Sequence, residues 1–223
     1  AEKLASVKAE IIEATGANVE AVACDLTPAG GAADLIGAAE AAFGKVDILI
    51  TNTGGPPAGM FEDHSAEVWR DAIAQNFESV VNLVRAALPG MKDRRWGRIV
   101  NVTSISVKPP VDGHILSNAI RAGVTGFAKT ISNEVAPHNV TVNSVLPGYT
   151  RTERLIHLAE AVSERDGKSI DEVYDGWAAE IPMGRLGEPP ELGAVTAFLC
   201  SEQASYITGQ SIAVDGGWIK GLM

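Results

Sequence analysis

A chain of 223 residues, 46% hydrophobic and 21% charged, can bury a sizeable core as one large domain or two small ones. Its formal net charge of −10 excludes the broad basic face that a nucleic-acid or anionic-membrane partner requires, and no apolar run nears the roughly 18 residues of a membrane-crossing helix. Cys24 and Cys200 lie far apart in apolar contexts, with no zinc or CxxC spacing; they are expected as buried free thiols in a reducing cytoplasm, and no metal centre is expected.

Helical and strand patterns alternate along the chain. Residues 2–14 have a helical period that stops before Gly16, and VEAVAC (19–24) has the pattern of a strand. A helix is expected over 31–43, then the strand VDILIT (46–51), a long helix over 65–89 and the strand RIVNVT (98–103). A helix over 115–136 leads into the strand TVNSVLP (141–147). The region 151–180 is charged and irregular to helical, 189–201 is helical, and SIAVD (211–215) is the last strand. The middle strands are near-continuous apolar runs, as expected when both faces of a sheet are covered. The alternation predicts right-handed crossovers and a doubly wound parallel α/β sheet. No repeat or linker divides it, so one domain is expected.

A doubly wound sheet of order 3-2-1-4-5-6 has its first strand at the centre, followed by a glycine-rich turn for a pyrophosphate. Nothing near residue 1 has that pattern. A βαβ segment of roughly 40 residues is therefore expected to be absent from this sequence. VEAVAC is then not expected to pair directly with VDILIT.

Ligands in such sheets bind beyond the carboxyl ends of the strands, so the residues there are the candidates. Asp25 follows VEAVAC and suits either an adenine amino group or a helix-capping turn. Asn52, Thr53, Gly54 and Gly55 follow VDILIT, where glycine lets backbone approach a ligand closely. Ser104, Ser106 and Lys108 follow RIVNVT. Ser117 and Arg121 are four apart and share one helix face. Pro147 and Gly148 force a turn after the fourth strand, ahead of Thr152.

Each of these suits an ordinary turn or cap equally well, but their order and spacing form one pattern. Asp25, the Asn52 turn, Asn76, Ser104, the 117/121 pair, Asn143, Pro147-Gly148, Thr152 and the closing Val214-Asp215-Gly216-Gly217 together resemble the short-chain dehydrogenase/reductases. The likeness is greatest to those similar to 3-oxoacyl-acyl-carrier-protein reductases, and it covers the whole chain. It implies a Rossmann-like domain over 1–223 with a substrate lid at about 151–180, and a GxxxGxG turn upstream of the first helix. It further implies hydride transfer between NAD(P)(H) and a small carbonyl or alcohol substrate, and a homotetramer. NAD and NADP are not distinguished, because the segments that choose between them are not in the sequence.

In that family a tyrosine moves the proton, and a lysine four residues on lowers the tyrosine pKa and binds the nicotinamide ribose. A serine polarises the carbonyl and an asparagine holds a relay water. By the resemblance, Ser104 matches the serine and Asn76 the asparagine, while Ser117 stands at the tyrosine position and Arg121 at the lysine position. Asp25, Asn52, Gly54, Arg121, Pro147, Gly148 and Thr152 match cofactor positions. A serine hydroxyl is a far weaker acid than a phenol and needs an adjacent base. Arginine stays protonated and anchors without shuttling a proton. The expectation is an atypical oxidoreductase using another donor, with His114, Lys108 and Tyr149 as candidates, or else Ser104 with a relayed water at Asn76. The alternative is a dinucleotide-binding sensor or assembly subunit. For assembly, Ala122, Gly123, Gly126 and Ala128 suit close helix approach, or equally packing against the sheet.

Overall fold

The computed structural model describes residues 2–28 and 30–222. Four parallel strands, β1 (Ile48–Thr51), β2 (Gly97–Val102), β3 (Val140–Pro147) and β4 (Ser211–Val214), lie in the order β1-β2-β3-β4. The helices are α1 (Glu2–Thr15), α2 (Gly31–Phe43), α3 (Ala66–Ile73), α4 (Ser79–Arg94), α5 (Ile115–Val135), α6 (Glu153–Asp166), α7 (Ile170–Glu180) and α8 (Pro189–Leu199). Chain order and sheet order coincide, so each connection crosses over through helices, as parallel pairing requires.

The sheet is covered on both sides. Ile99 of β2 and Val142 of β3 pack against Ile36 of α2, Leu83, Val84 and Met91 of α4, and Ala128 and Val135 of α5. On the other side, Val100 and Val145 meet Leu199 of α8, Ala204 and the half-buried Leu192 and Val195. Successive strand residues point to opposite faces, so Ile99 and Val100 belong to different layers. This explains why apolar residues of β2 and β3 point to both faces, with the buried polar residues Arg98, Asn101, Thr141, Asn143 and Ser144 among them. α5 buries Leu116, Ser117, Ile120, Val124 and Ala128, a stripe at three- and four-residue spacing that turns Ser117 and Arg121 toward the strand ends.

Three expectations are corrected. VEAVAC is not a strand: residues 19–24 have no regular secondary structure and no ladder partner among the described residues. Backbone groups of a strand need a neighbour, and none of the four strands pairs with this segment. Nor does it lie on β1, whose outer-edge residues Ile48 and Ile50 are 44% and 48% exposed. The helix expected over 65–89 continues to Arg94 and is interrupted by a π-helical turn at Ala74–Glu78. Cys24 is an exposed thiol and Cys200 is only half-buried, with burial pushing its thiol pKa up. The 151–180 region forms two helices, α6 and α7, separated by a left-handed turn at Gly167.

Candidate active site

The carboxyl ends of β1, β2 and β3 carry most of the candidate residues. Beyond β1, Thr53 Oγ1 donates to Asn76 Oδ1 at 3.3 Å. Asn76 is buried on the π-helical turn, where its Nδ2 donates to Ala72 O at 3.2 Å. The turn inserts one residue per helical cycle and thereby re-aims the side chains it carries, a common arrangement at functional sites. Gly54 is exposed, with Gln75 Nε2 3.6 Å from where a β-carbon would stand. Asn52 is exposed at the start of this loop.

Beyond β2, Ser104 caps a short 3₁₀ turn over 105–107: its Oγ accepts from Ser106 N at 3.1 Å. Ser106 Oγ in turn lies 3.4 Å from Ser117 Oγ, and both of these residues are buried. The Ser117 hydroxyl is therefore linked to the Ser104 turn through Ser106. One helical turn on, Arg121 Nη1 donates to Val102 O at 3.0 Å, at the last residue of β2. Burial, reinforced by the positive charge of Arg154, lowers the Arg121 pKa to about 10, so the guanidinium stays charged at neutral pH.

Beyond β3, Gly148 N donates to Val214 O at 3.0 Å. A β-carbon on Gly148 would stand 2.8 Å from Asp215 Cα, so only glycine fits the approach after Pro147. Thr152 begins α6 without capping it, and its hydroxyl makes only a 3.4 Å bond to Thr150 O. Asn143 is structural: its amide donates to Ile207 O and accepts from Gln210 N, tying β3 to the loop before β4. The Asp25 carboxylate accepts from Thr27 N at 2.9 Å and from the Thr27 hydroxyl, which holds its pKa below the usual carboxylate value. Its partners are those of a turn.

None of the candidate donors outside the 104/117 pair has the surroundings of a proton donor. Tyr149 stacks on Trp177 with ring centroids 5.1 Å apart and meets Trp218 edge-on. Burial, with the Glu180 carboxylate, raises its pKa, the reverse of what acid–base work at neutral pH requires. His114 holds Asp112 O at 2.9 Å through Nδ1, at the start of α5. Lys108 is exposed. Among the described residues no group of three or more His, Cys, Asp and Glu side chains is placed to hold a metal ion.

The structure adds one residue that the sequence did not suggest. Arg154, in the first turn of α6, lies across Gly55, where a β-carbon would stand 2.2 Å from its Cζ. It donates to Pro56 O at 3.5 Å. Gly55 and Arg154 are 99 positions apart, and no local pattern relates them.

Residues 1–219 match the family model described as enoyl-(acyl carrier protein) reductase. The chain is 38% identical over 175 residues to the 3-oxoacyl-[acyl-carrier-protein] reductase FabG of Vibrio cholerae, which covers 78% of this chain and 67% of that protein. Its fold is similar to that of L-sorbose reductase from Gluconobacter frateurii complexed with NADPH and L-sorbose, with a TM-score of 0.94 and 30% identity, over 100% of this chain and 85% of the other. It is also similar to an NADPH-bound short chain oxidoreductase from Pseudomonas aeruginosa PAO1 described as containing an atypical catalytic center, with a TM-score of 0.86 and 30% identity, over 99% of this chain and 84% of the other.

Proposed function

The chain belongs to the short-chain dehydrogenase/reductase family, and from that premise we propose that it is an NAD(P)(H)-dependent oxidoreductase acting on a carbonyl or alcohol without the family's tyrosine. The observation that carries the reading is the group of serines at the end of β2, where Ser104 Oγ accepts from Ser106 N and Ser106 Oγ meets Ser117 Oγ, with Arg121 tied to the last residue of the same strand. Those are the positions where a carbonyl would be polarised and a proton relayed.

The residues present fit a dinucleotide. Gly54 exposes its backbone, the Thr152 hydroxyl is not used as a cap, and Gly148 holds the loop after β3 tightly against Asp215. Gly54, Asn52, Pro147, Gly148, Thr152 and Arg121 would hold the cofactor, with Asp25 toward the adenine. When bound, the nicotinamide supplies or accepts the hydride. The reductases with solved structures were obtained with NADPH, which makes NADPH the first cofactor to test.

The protein's own part is positioning and proton delivery. Ser104 donates to the carbonyl oxygen, where negative charge develops. Asn76, held by Thr53 and Ala72 O, orients a water. Ser117, whose hydroxyl meets that of Ser106, cannot replace a phenol as an acid. Arg121, fixed by Val102 O, anchors and supplies positive charge without releasing a proton. A positioned proton donor contributes roughly 10²–10⁴ in rate, so turnover persists at a reduced level without it. The Pseudomonas aeruginosa relative with an atypical center supports this reading. α6 and α7 form the lid, and the molecule assembles as a homotetramer in the cytoplasm.

The test is steady-state oxidation of NADPH and NADH against a panel of ketones and keto acids. Carbonyl-dependent oxidation is expected, with kcat reduced at least 100-fold in Ser104→Ala and cofactor affinity unchanged. Tight cofactor binding with no turnover on any member, indifferent to Ser104→Ala, would instead identify a dinucleotide sensor or assembly subunit. The serine at position 117 is the observation that favours that second reading.

A further inference from the structure

The closing motif Val214-Asp215-Gly216-Gly217 and the aromatic residues Tyr149, Tyr174 and Trp177 take no part in the proton chemistry, and the fold brings them together in one apolar cluster through Trp218. Past β4 the chain turns sharply. The Asp215 carboxylate accepts from Gly217 N at 3.0 Å and from Ile219 N at 2.8 Å, and Trp218 N donates to Asp215 O at 3.2 Å. Gly216 and Gly217 have φ of 63° and 88°, the left-handed region that favours glycine. The turn is packed as well as bonded. A β-carbon on Gly216 would stand 2.6 Å from Ile181 Cγ2, and one on Gly217 3.2 Å from Pro182 Cγ. Met183 N also donates to Gly216 O at 3.2 Å. The turn therefore sits against the residues that follow α7.

This turn places Trp218. The indole meets the Tyr149 ring edge-on with centroids 6.3 Å apart, and its Nε1 donates at 3.2 Å to Oε2 of Glu180, the last residue of α7. Trp177 of the same helix stacks on Tyr149, with centroids 5.1 Å apart and 16° between the planes. Edge-on and stacked pairs are the favoured aromatic geometries. Tyr149 directly follows Gly148, whose N donates to Val214 O and which has no room for a side chain beside Asp215. The segment 214–218 thus holds the turn after β3 at two successive residues and the end of α7 at several points. Within α7 only Val173 is fully buried, so the position of this helix depends on those end contacts.

We propose that the segment Asp215–Trp218 is a latch that fixes α7 and the turn Pro147–Gly148–Tyr149 in one arrangement, with Trp218 and Glu180 as positioning residues for the ligand of that turn. Release of Trp218 frees the helix and loosens the turn together. That the ligand is NAD(P)(H) rests on the hydride-transfer reading above; the latch itself does not.

The test is hydrogen exchange read by mass spectrometry on the full chain, with NADPH titration calorimetry alongside, for the parent, Trp218→Ala, Trp218→Phe, Glu180→Ala and Glu180→Gln. In Trp218→Ala, amides 148–150 and 171–181 are expected to exchange at least tenfold faster, with β2 and α5 within twofold of the parent and NADPH affinity at least threefold weaker. Trp218→Phe keeps a ring but loses the Nε1 bond, so an intermediate effect is expected, matched by Glu180→Ala. Glu180→Gln keeps an accepting oxygen and should behave as the parent, a rescue that a general loss of packing does not produce. Glu180 is exposed, so the two Glu180 variants carry the test if Trp218→Ala does not fold. Unchanged exchange in α7, or faster exchange spread evenly over β2 and α5, overturns the latch. Faster exchange in α7 with amides 148–150 unmoved, or with NADPH affinity unchanged, also overturns it. The expected exchange pattern in a protein that binds neither NADPH nor NADH supports the latch and overturns the hydride-transfer reading instead.

Discussion

Ser117 and Arg121 carry the chemical question at the scale of single residues. Ser117 is buried and linked to Ser106, and Arg121 is tied to Val102 O. Neither position supplies an acid near neutral pH. Restoring the family pair with Ser117→Tyr and Arg121→Lys together is expected to raise kcat by about 10- to 100-fold, part of what a positioned donor contributes. It should also introduce a pH dependence that the parent lacks, read from kcat/KM against pH. The guanidinium of Arg121 is charged below about pH 10 and loses its proton as pH rises through that value.

At the scale of elements, the π-helical turn and the turn after β3 set the geometry of the cleft. Asn76 makes its two hydrogen bonds from the π-helical turn, so Asn76→Ala removes both and leaves a gap beside Thr53. A stability loss of about 1–2 kcal/mol is expected, with a lower kcat; thermal melts and kinetics report the two separately. Gly148→Ala forces a β-carbon to within 2.8 Å of Asp215 Cα and should cost on the order of 1–3 kcal/mol, visible as a drop in Tm. The elements differ in how far the sequence announced them. β2, β3 and α5 were legible because their apolar pattern reports burial directly, and the proposed site at 104, 117 and 121 follows from their spacing together with the family resemblance. VEAVAC has the composition of a strand, but a strand depends on a partner, which no local pattern supplies. The π-helical turn left no signal, because its residues Ala74 to Glu78 suit an α-helix equally well. Arg154 was invisible for a different reason: its place follows from a tertiary contact with Gly55.

The whole molecule carries a strongly acidic net charge. A net charge of −10 works against anionic ligands at long range. Association of anionic ligands should therefore speed up with added salt. No helix among the described residues is long and apolar enough to cross a membrane. α4 and α5 leave a groove of about 480 Å³ lined by Val81, Leu88, Phe127 and Ile131, and Gly123 and Gly126 are exposed nearby on α5. This face suits a helix-to-helix contact in the proposed homotetramer. Solution scattering should give a mass near four chains, and Leu88→Lys should reduce it; a mass of one chain at every concentration rejects the assembly.

Hydride transfer at this altered site is tested most directly by isotope. NADPH deuterated at C4 of the nicotinamide, on each face in turn, is incubated with the protein and a keto acid, and the product is read by mass spectrometry. The account predicts one deuterium on the carbinol carbon of the hydroxy acid, from one face only, with the rate falling at least 100-fold in Ser104→Ala. Saturating cofactor binding with no deuterium in any product would contradict it.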